Sequence, residues 1–239
     1  MKLKKVLYGI LAGVIIMNSM GCEALISHEK LAIKLLNEKY NDSFEIETVQ
    51  SQSFSGGYYT VVAYPQEDST LLFQAYVNSD GTGVSDNYVT KILCRNLAER
   101  VAWNLNSLSG LYYIYIEVLH EPVMLDKPGI TLEEFMKETP KNKFTINVCY
   151  VPEETNAEEV YSGITNILQG MESISGKICL YVMDETNMSW VQEYMETHDQ
   201  CYDEFEDMVE SYFTGLIDFE KGKITTTKEE VIRMLENKL

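Results

Sequence analysis

Apolar positions recur along the chain at two different periods, and the points where the period changes divide it into elements. From Ala24 to Tyr40, residues Leu25, Ile26, Leu31, Ile33, Leu35 and Leu36 fall at largely helical spacing, and the turn-rich run KYNDSF closes the segment. Three strand-like runs follow, SFEIETVQ from Ser43, GYYTVVAYP from Gly57 and TLLFQAYV from Thr70. In the third, Leu71, Phe73, Ala75 and Val77 alternate with Leu72, Gln74, Tyr76 and Asn78, the period of a strand with one better-buried face. The short connectors SFSGG and PQEDS predict an antiparallel meander, NSDGTGVSDN breaks it, and Tyr88 to Leu105 reads as a second long helix. These elements make an α-β-β-β-α unit over 22–110.

The rhythm changes over 111–239. LYYIYIEVL from Leu111 is apolar on both faces, as an internal strand would be. After the loop HEPVMLDKPGI, strands at Phe144 and Ile178 alternate with helices, giving at least one β-α-β step between Phe144 and Met183. Helix starts are expected at four capping boxes: Thr131-x-x-Glu134, Thr155-x-x-Glu158, Ser189-x-x-Gln192 and Thr227-x-x-Glu230. Between Trp190 and Phe213 an apolar stripe takes in Val191, Tyr194, Met195, His198, Cys201, Tyr202, Phe205, Met208, Val209 and Tyr212, with acids opposite, which predicts one amphipathic helix. The fold class expected is α+β, an antiparallel meander flanked by helices and followed by a mixed β/α unit, either as two domains or as one continuous body.

The first residues have a different character. Met1 to Lys5 carries three lysines and no acid, and Val6 to Met17 is apolar, a charged n-region followed by an h-region. Such a segment rises only ~18 Å as a helix against a hydrocarbon core of ~30 Å, too short for a conventional span. It runs into Asn18-Ser19-Met20-Gly21-Cys22, which resembles the lipobox of bacterial lipoprotein precursors. Gly21 and Cys22 match that motif, while Ser19 stands where leucine is usual and Met20 where alanine or serine is usual. Ser19-Met20-Gly21 also reads as the small-x-small cleavage site of an ordinary secretory signal. The resemblance implies that residues 1–21 are a signal peptide, that Cys22 is the lipidation site, and that acyl chains anchor the exported chain to a membrane surface.

Charge narrows the partners. The 37 acids against 19 lysines and arginines give a net charge of −18, which repels polyanions and excludes nucleic acid as an expected partner. Loss of residues 1–21 removes three lysines and no acid, and leaves the rest more acidic still. With 45% hydrophobic residues and 16 tyrosines the chain nevertheless builds a core. No C-x-x-C pair joins Cys94, Cys149, Cys179 and Cys201, so zinc-ribbon and thioredoxin-type chemistry has no support. Cys149 and Cys179 lie on corresponding faces of two strand-like runs and would meet if those strands are neighbours. Export permits a disulfide there; two separate buried thiols is the reading adopted.

Candidate chemistry is sparse. His198 and Cys201 are one helical turn apart, but both fall on the apolar stripe, and two ligands do not make a metal site. His28-Glu29 reads as the polar start of the first helix. His120 opens a loop after a strand, a common place for functional residues, without completing an H-E-x-x-H motif. Ser79 to Gly83 lacks the alternating acids of a calcium loop and reads as a turn. No cofactor motif is present, so neither cofactor nor metal is expected. There remain Glu153-Glu154 and Asp184-Glu185, each following a strand; if those strands are parallel neighbours, the acids share the sheet edge where ligands of open α/β sheets gather.

The function expected is that of a membrane-anchored binding or interaction module of the cell envelope, with an envelope protein as its possible partner. Tyrosine-rich strands, suited to interfaces, speak for it. The alternative is an exported hydrolase or metal-dependent enzyme using Glu153, Glu154, Asp184 and Glu185, with His120.

Overall fold

The computed structural model describes residues 28–50, 57–106, 108–119, 125–153, 156–198, 209–210 and 212–239. Cys22, His120, Glu154, Cys201 and Phe205 lie outside them. The fold is α+β, with a four-stranded antiparallel sheet followed by a mixed five-stranded one. Contacts divide the chain into two compact units, 1–69 with 73–86, and 70–72 with 87–239.

The first unit holds helix α1 (residues 28–40) and strands β1 (Phe44–Gln50), β2 (Tyr58–Pro65), β3 (Phe73–Asn78) and β4 (Val84–Asp86), in the order β1-β2-β3-β4. The register pairs Tyr59 with Val77, Val61 with Ala75 and Ala63 with Phe73, so one face of β2 and β3 is continuous. These six side chains are buried together with Ala32 and Leu36 of α1. The alternation expected for the third strand therefore holds, although its ladder begins at Phe73 rather than Thr70. The predicted break after it is a hairpin: Asp80 accepts hydrogen bonds from the Thr82 amide (3.0 Å) and hydroxyl (2.7 Å), and β4 returns beside β3. Asp86, fully buried, takes a hydrogen bond from Tyr40 Oη (2.7 Å) and an ion pair from Lys39 Nζ (2.9 Å), fastening the end of α1 to the end of β4.

The second unit contains α2 (Tyr88–Asn104), β5 (Gly110–Leu119), α3 (Leu132–Glu138), β6 (Lys143–Pro152), α4 (Ala157–Ile167), β7 (Gly176–Val182), α5 (Glu185–Thr197), β8 (Phe213–Glu220), β9 (Lys223–Ile224) and α6 (Lys228–Glu236). By its contacts helix α2 groups with this unit. The reason is local: its Arg100 and Asn104 donate to the Gly170 and Ile167 carbonyls at the end of α4, and Tyr112 of β5 donates to the Ala102 carbonyl.

The strand order is β5-β6-β7-β8-β9, with β6 and β7 parallel and joined through α4, which is the predicted β-α-β step. β5 stands at one end of this order rather than inside it. It is apolar on both faces because α2 covers one and α5 the other. Phe144, Ile146, Val148 and Tyr150 of β6 and Ile178 and Leu180 of β7 face the layer of α2, α4 and α6, and all six are buried. On the opposite face Tyr115, Cys149, Met183, Met188, Val191, Tyr194 and Val209 form a second apolar cluster under α5.

Two helix starts follow the expected capping boxes, Thr131 with Glu134 and Thr227 with Glu230. α4 begins one residue later than expected, capped by Asn156 with Glu159. The single helix expected from Trp190 to Phe213 is not formed. α5 starts earlier, on Asp184, and ends where His198 turns extended (φ −128°, ψ 141°), while Phe213 opens β8. Ser189, the expected cap, lies within α5 and returns its hydroxyl to the Glu185 carbonyl at 2.9 Å.

Candidate functional site

β6 and β7 are parallel neighbours, with Tyr150 opposite Val182, so Glu153 and the pair Asp184-Glu185 do follow them at one edge of the sheet. The three side chains are exposed there, and at least one has other work. The Asp184 carboxylate accepts from the Asn187 amide (2.9 Å) and side chain (2.7 Å), capping α5, and these bonds hold its pKa below the usual carboxylate value. Glu185 stands in the first turn of the same helix, where a negative charge complements the helix dipole.

His198 lies at the end of α5, with its ring stacked on Tyr194 at 3.9 Å and Tyr194 stacked in turn on Trp190 at 5.1 Å. Its Nδ1 sits 3.0 Å from the Tyr194 carbonyl. With Lys91, Cys94 and Arg95 of α2 and Tyr113 and Tyr115 of β5 it lines a small cavity of about 140 Å³. Burial pushes the Cys94 thiol up to about 12, so it does not act as a nucleophile near neutral pH. Cys149 and Cys179 are free and buried, and burial likewise raises Cys149 to about 12. Register explains why they do not bond: Cys149 pairs with Tyr181, and Cys179 with Asn147.

The polar concentration of the second unit lies elsewhere, on the α5 side of the sheet. The register places Glu117, Thr145, Lys177 and Asp218 in one row across β5, β6, β7 and β8. In the adjoining row Asn147, 2% exposed, donates to Glu117 Oε2 at 3.2 Å, and Tyr181 Oη lies 3.5 Å from its Oδ1, long for a hydrogen bond. Burial raises the Tyr181 pKa, which keeps the phenol protonated.

This face continues to the end of the sheet where β6 and β7 begin and β8 ends. A cleft of about 800 Å³ opens there, and its lining includes Lys141, Asn142, Lys143, Ser175, Asp218 and Lys221. Two buried polar atoms near it have no hydrogen-bond partner among the described residues, Asn142 Nδ2 and Thr145 Oγ1. The sequence carries a signal for this face: each of the four strands breaks its apolar pattern with at least one polar residue, but only pairing brings those breaks into line.

Among the described residues no group of three His, Cys, Asp or Glu is placed to hold a metal ion, and no helix is long and apolar enough to cross a membrane.

The architecture is that of a two-unit α+β protein. No family model and no curated protein matches the sequence. In three dimensions the chain is similar to the crystal structure of a DUF5037 family protein from Ruminococcus gnavus, with a TM-score of 0.67 at 12% identity, over 88% of this chain and 99% of that one. The likeness at that identity is one of fold.

Proposed function

We propose that this is an exported protein held at a membrane surface by lipid on Cys22, and that it acts there by binding rather than by catalysis. The anchoring half rests on the n-region, the short h-region and Gly21-Cys22. The observation that supports binding is the use made of Asp184. In the catalytic alternative it would share an acid cleft with Glu153, Glu154 and Glu185; instead it spends its acceptors on the start of α5, and its lowered pKa suits a cap rather than a proton donor near neutral pH. The polar row across the five-stranded sheet offers the chemistry of recognition, with hydrogen-bonding groups of both kinds and charges of both signs held on rigid strands.

Membrane fractionation tests the anchor. The protein is expected to sediment with membranes, to resist high salt, and to be released by detergent. Release by salt alone would refute anchoring through lipid, because it would mean that only surface charge holds the protein.

A further inference from the structure

The cleft at the start of β6 and β7 differs from the rest of this acidic chain. Its lining carries Lys141, Lys143 and Lys221 against Asp218 and Glu220, while the sequence as a whole has 37 acids to 19 lysines and arginines. Cations therefore outnumber acids here, where chance would give the reverse.

The lysine nearest β9 is fixed by the backbone. Lys221 and Gly222 form the two-residue turn between β8 and β9, with φ values of +50° and +70°. Ser175 Oγ accepts the Lys221 amide and the Ile174 carbonyl accepts the Gly222 amide, each at 3.0 Å. A side chain at Gly222 would press on the Met171 backbone at 2.9 Å. Lysine gains nothing from a left-handed conformation that glycine or asparagine adopts more readily, so its presence at this pinned turn calls for another reason.

Asn142 supplies an independent sign. It lines the cleft, is only 8% exposed, and its amide nitrogen has no partner among the described residues. A buried unpaired amide costs about 1–3 kcal/mol, and its terminal torsion is broad enough to turn the group toward an acceptor in the cleft.

From this juxtaposition of three lysines, an unsatisfied amide and two carboxylates we infer that the cleft is a binding site for a small hydroxylated anion, a phosphorylated or acidic sugar. The lysines take the phosphate or carboxylate, and Asn142 bonds an acceptor. The Asp218 and Glu220 carboxylates accept from ring hydroxyls, which a bare anion does not offer. The inference rests on the binding reading above and names the class of ligand.

Full-length protein in mild detergent, melted at low salt with glucose 6-phosphate or glucuronate, tests it, with glucose and inorganic phosphate as controls. At least one hydroxylated anion is expected to raise the melting temperature at about tenfold lower concentration than either control, by linkage. The double variant Lys143→Gln/Lys221→Gln, both exposed positions, is expected to fold normally and lose that response. Asn142→Ala separates binding from structure: the ligand-free melting temperature holds or rises while affinity falls. Absence of a preferential response, an undiminished response in the lysine variant, or a lowered melting temperature with unchanged affinity in Asn142→Ala would each overturn the inference. Membrane association of the parent separates the two readings: a parent that sediments with membranes yet shows no preferential response marks failure of the cleft inference alone. Loss of membrane association marks failure of the anchoring reading.

Discussion

At the scale of single residues the fold depends on contacts that leave little room for substitution. Phe144 is fully buried against Phe135, and Phe144→Ala is expected to destabilise by about 3–5 kcal/mol in denaturant unfolding. A side chain at Gly176 would collide with the Phe144 carbonyl in the parallel ladder, so Gly176→Ala should destabilise although it adds only a methyl group. Asp86→Ala would remove the buried carboxylate that Lys39 and Tyr40 share, with an expected loss of about 3 kcal/mol. Cys94, Cys149 and Cys179 are shielded and hard to ionise. All three are expected to resist alkylation at pH 8 in the native state and to react once the protein is denatured, a contrast that mass spectrometry resolves. Labelling of Cys149 in the native protein would contradict the packing of α5 on the sheet.

At the scale of elements, stability is tied to acids that cap helices. Backbone hydrogen bonds lower the carboxyl of Glu134, hydrogen bonds from Thr227 lower Glu230, and those from Asn187 lower Asp184. A carboxyl with a folded pKa below its unfolded value stabilises the fold above the unfolded value, and the contribution fades as pH falls through the folded one. Helicity followed by circular dichroism should therefore drop below about pH 4. Asp184→Asn, which keeps a capping side chain, should melt like the parent at pH 7 and lose less on acidification. Thr227→Ala should cost about 1 kcal/mol. Most of these elements are legible in the sequence, because capping boxes and strand alternation are local signals: Thr131, Thr227 and the alternation from Phe73 to Val77 all reappear in the structure. The 190–213 stripe misled because burial of Val191, Tyr194 and Val209 in one cluster has the same apolar signature whether or not one helix carries them. The polar row was not legible, since Glu117, Thr145, Lys177 and Asp218 are far apart in sequence and only the register aligns them. Asp184 was found at the expected edge, but whether a carboxylate caps or catalyses depends on the geometry of the next three residues, which spacing alone does not give.

At the scale of the whole molecule, two α+β units, a net charge of −18 and a cysteine following a short apolar segment are joined by the proposal that lipid attaches this acidic protein to a membrane that its charge would not favour. The charge predicts that any anionic ligand approaches the lysine-lined cleft against a repulsive field, so association should quicken as moderate salt screens that field, even while the bound complex weakens. Stopped-flow mixing at two ionic strengths separates these effects. The central claim, attachment through Cys22, is tested most directly by metabolic labelling with a fatty-acid analogue. The account predicts that the protein takes up the label and that Cys22→Ala abolishes it; a labelled Cys22→Ala protein, or an unlabelled parent, would contradict it.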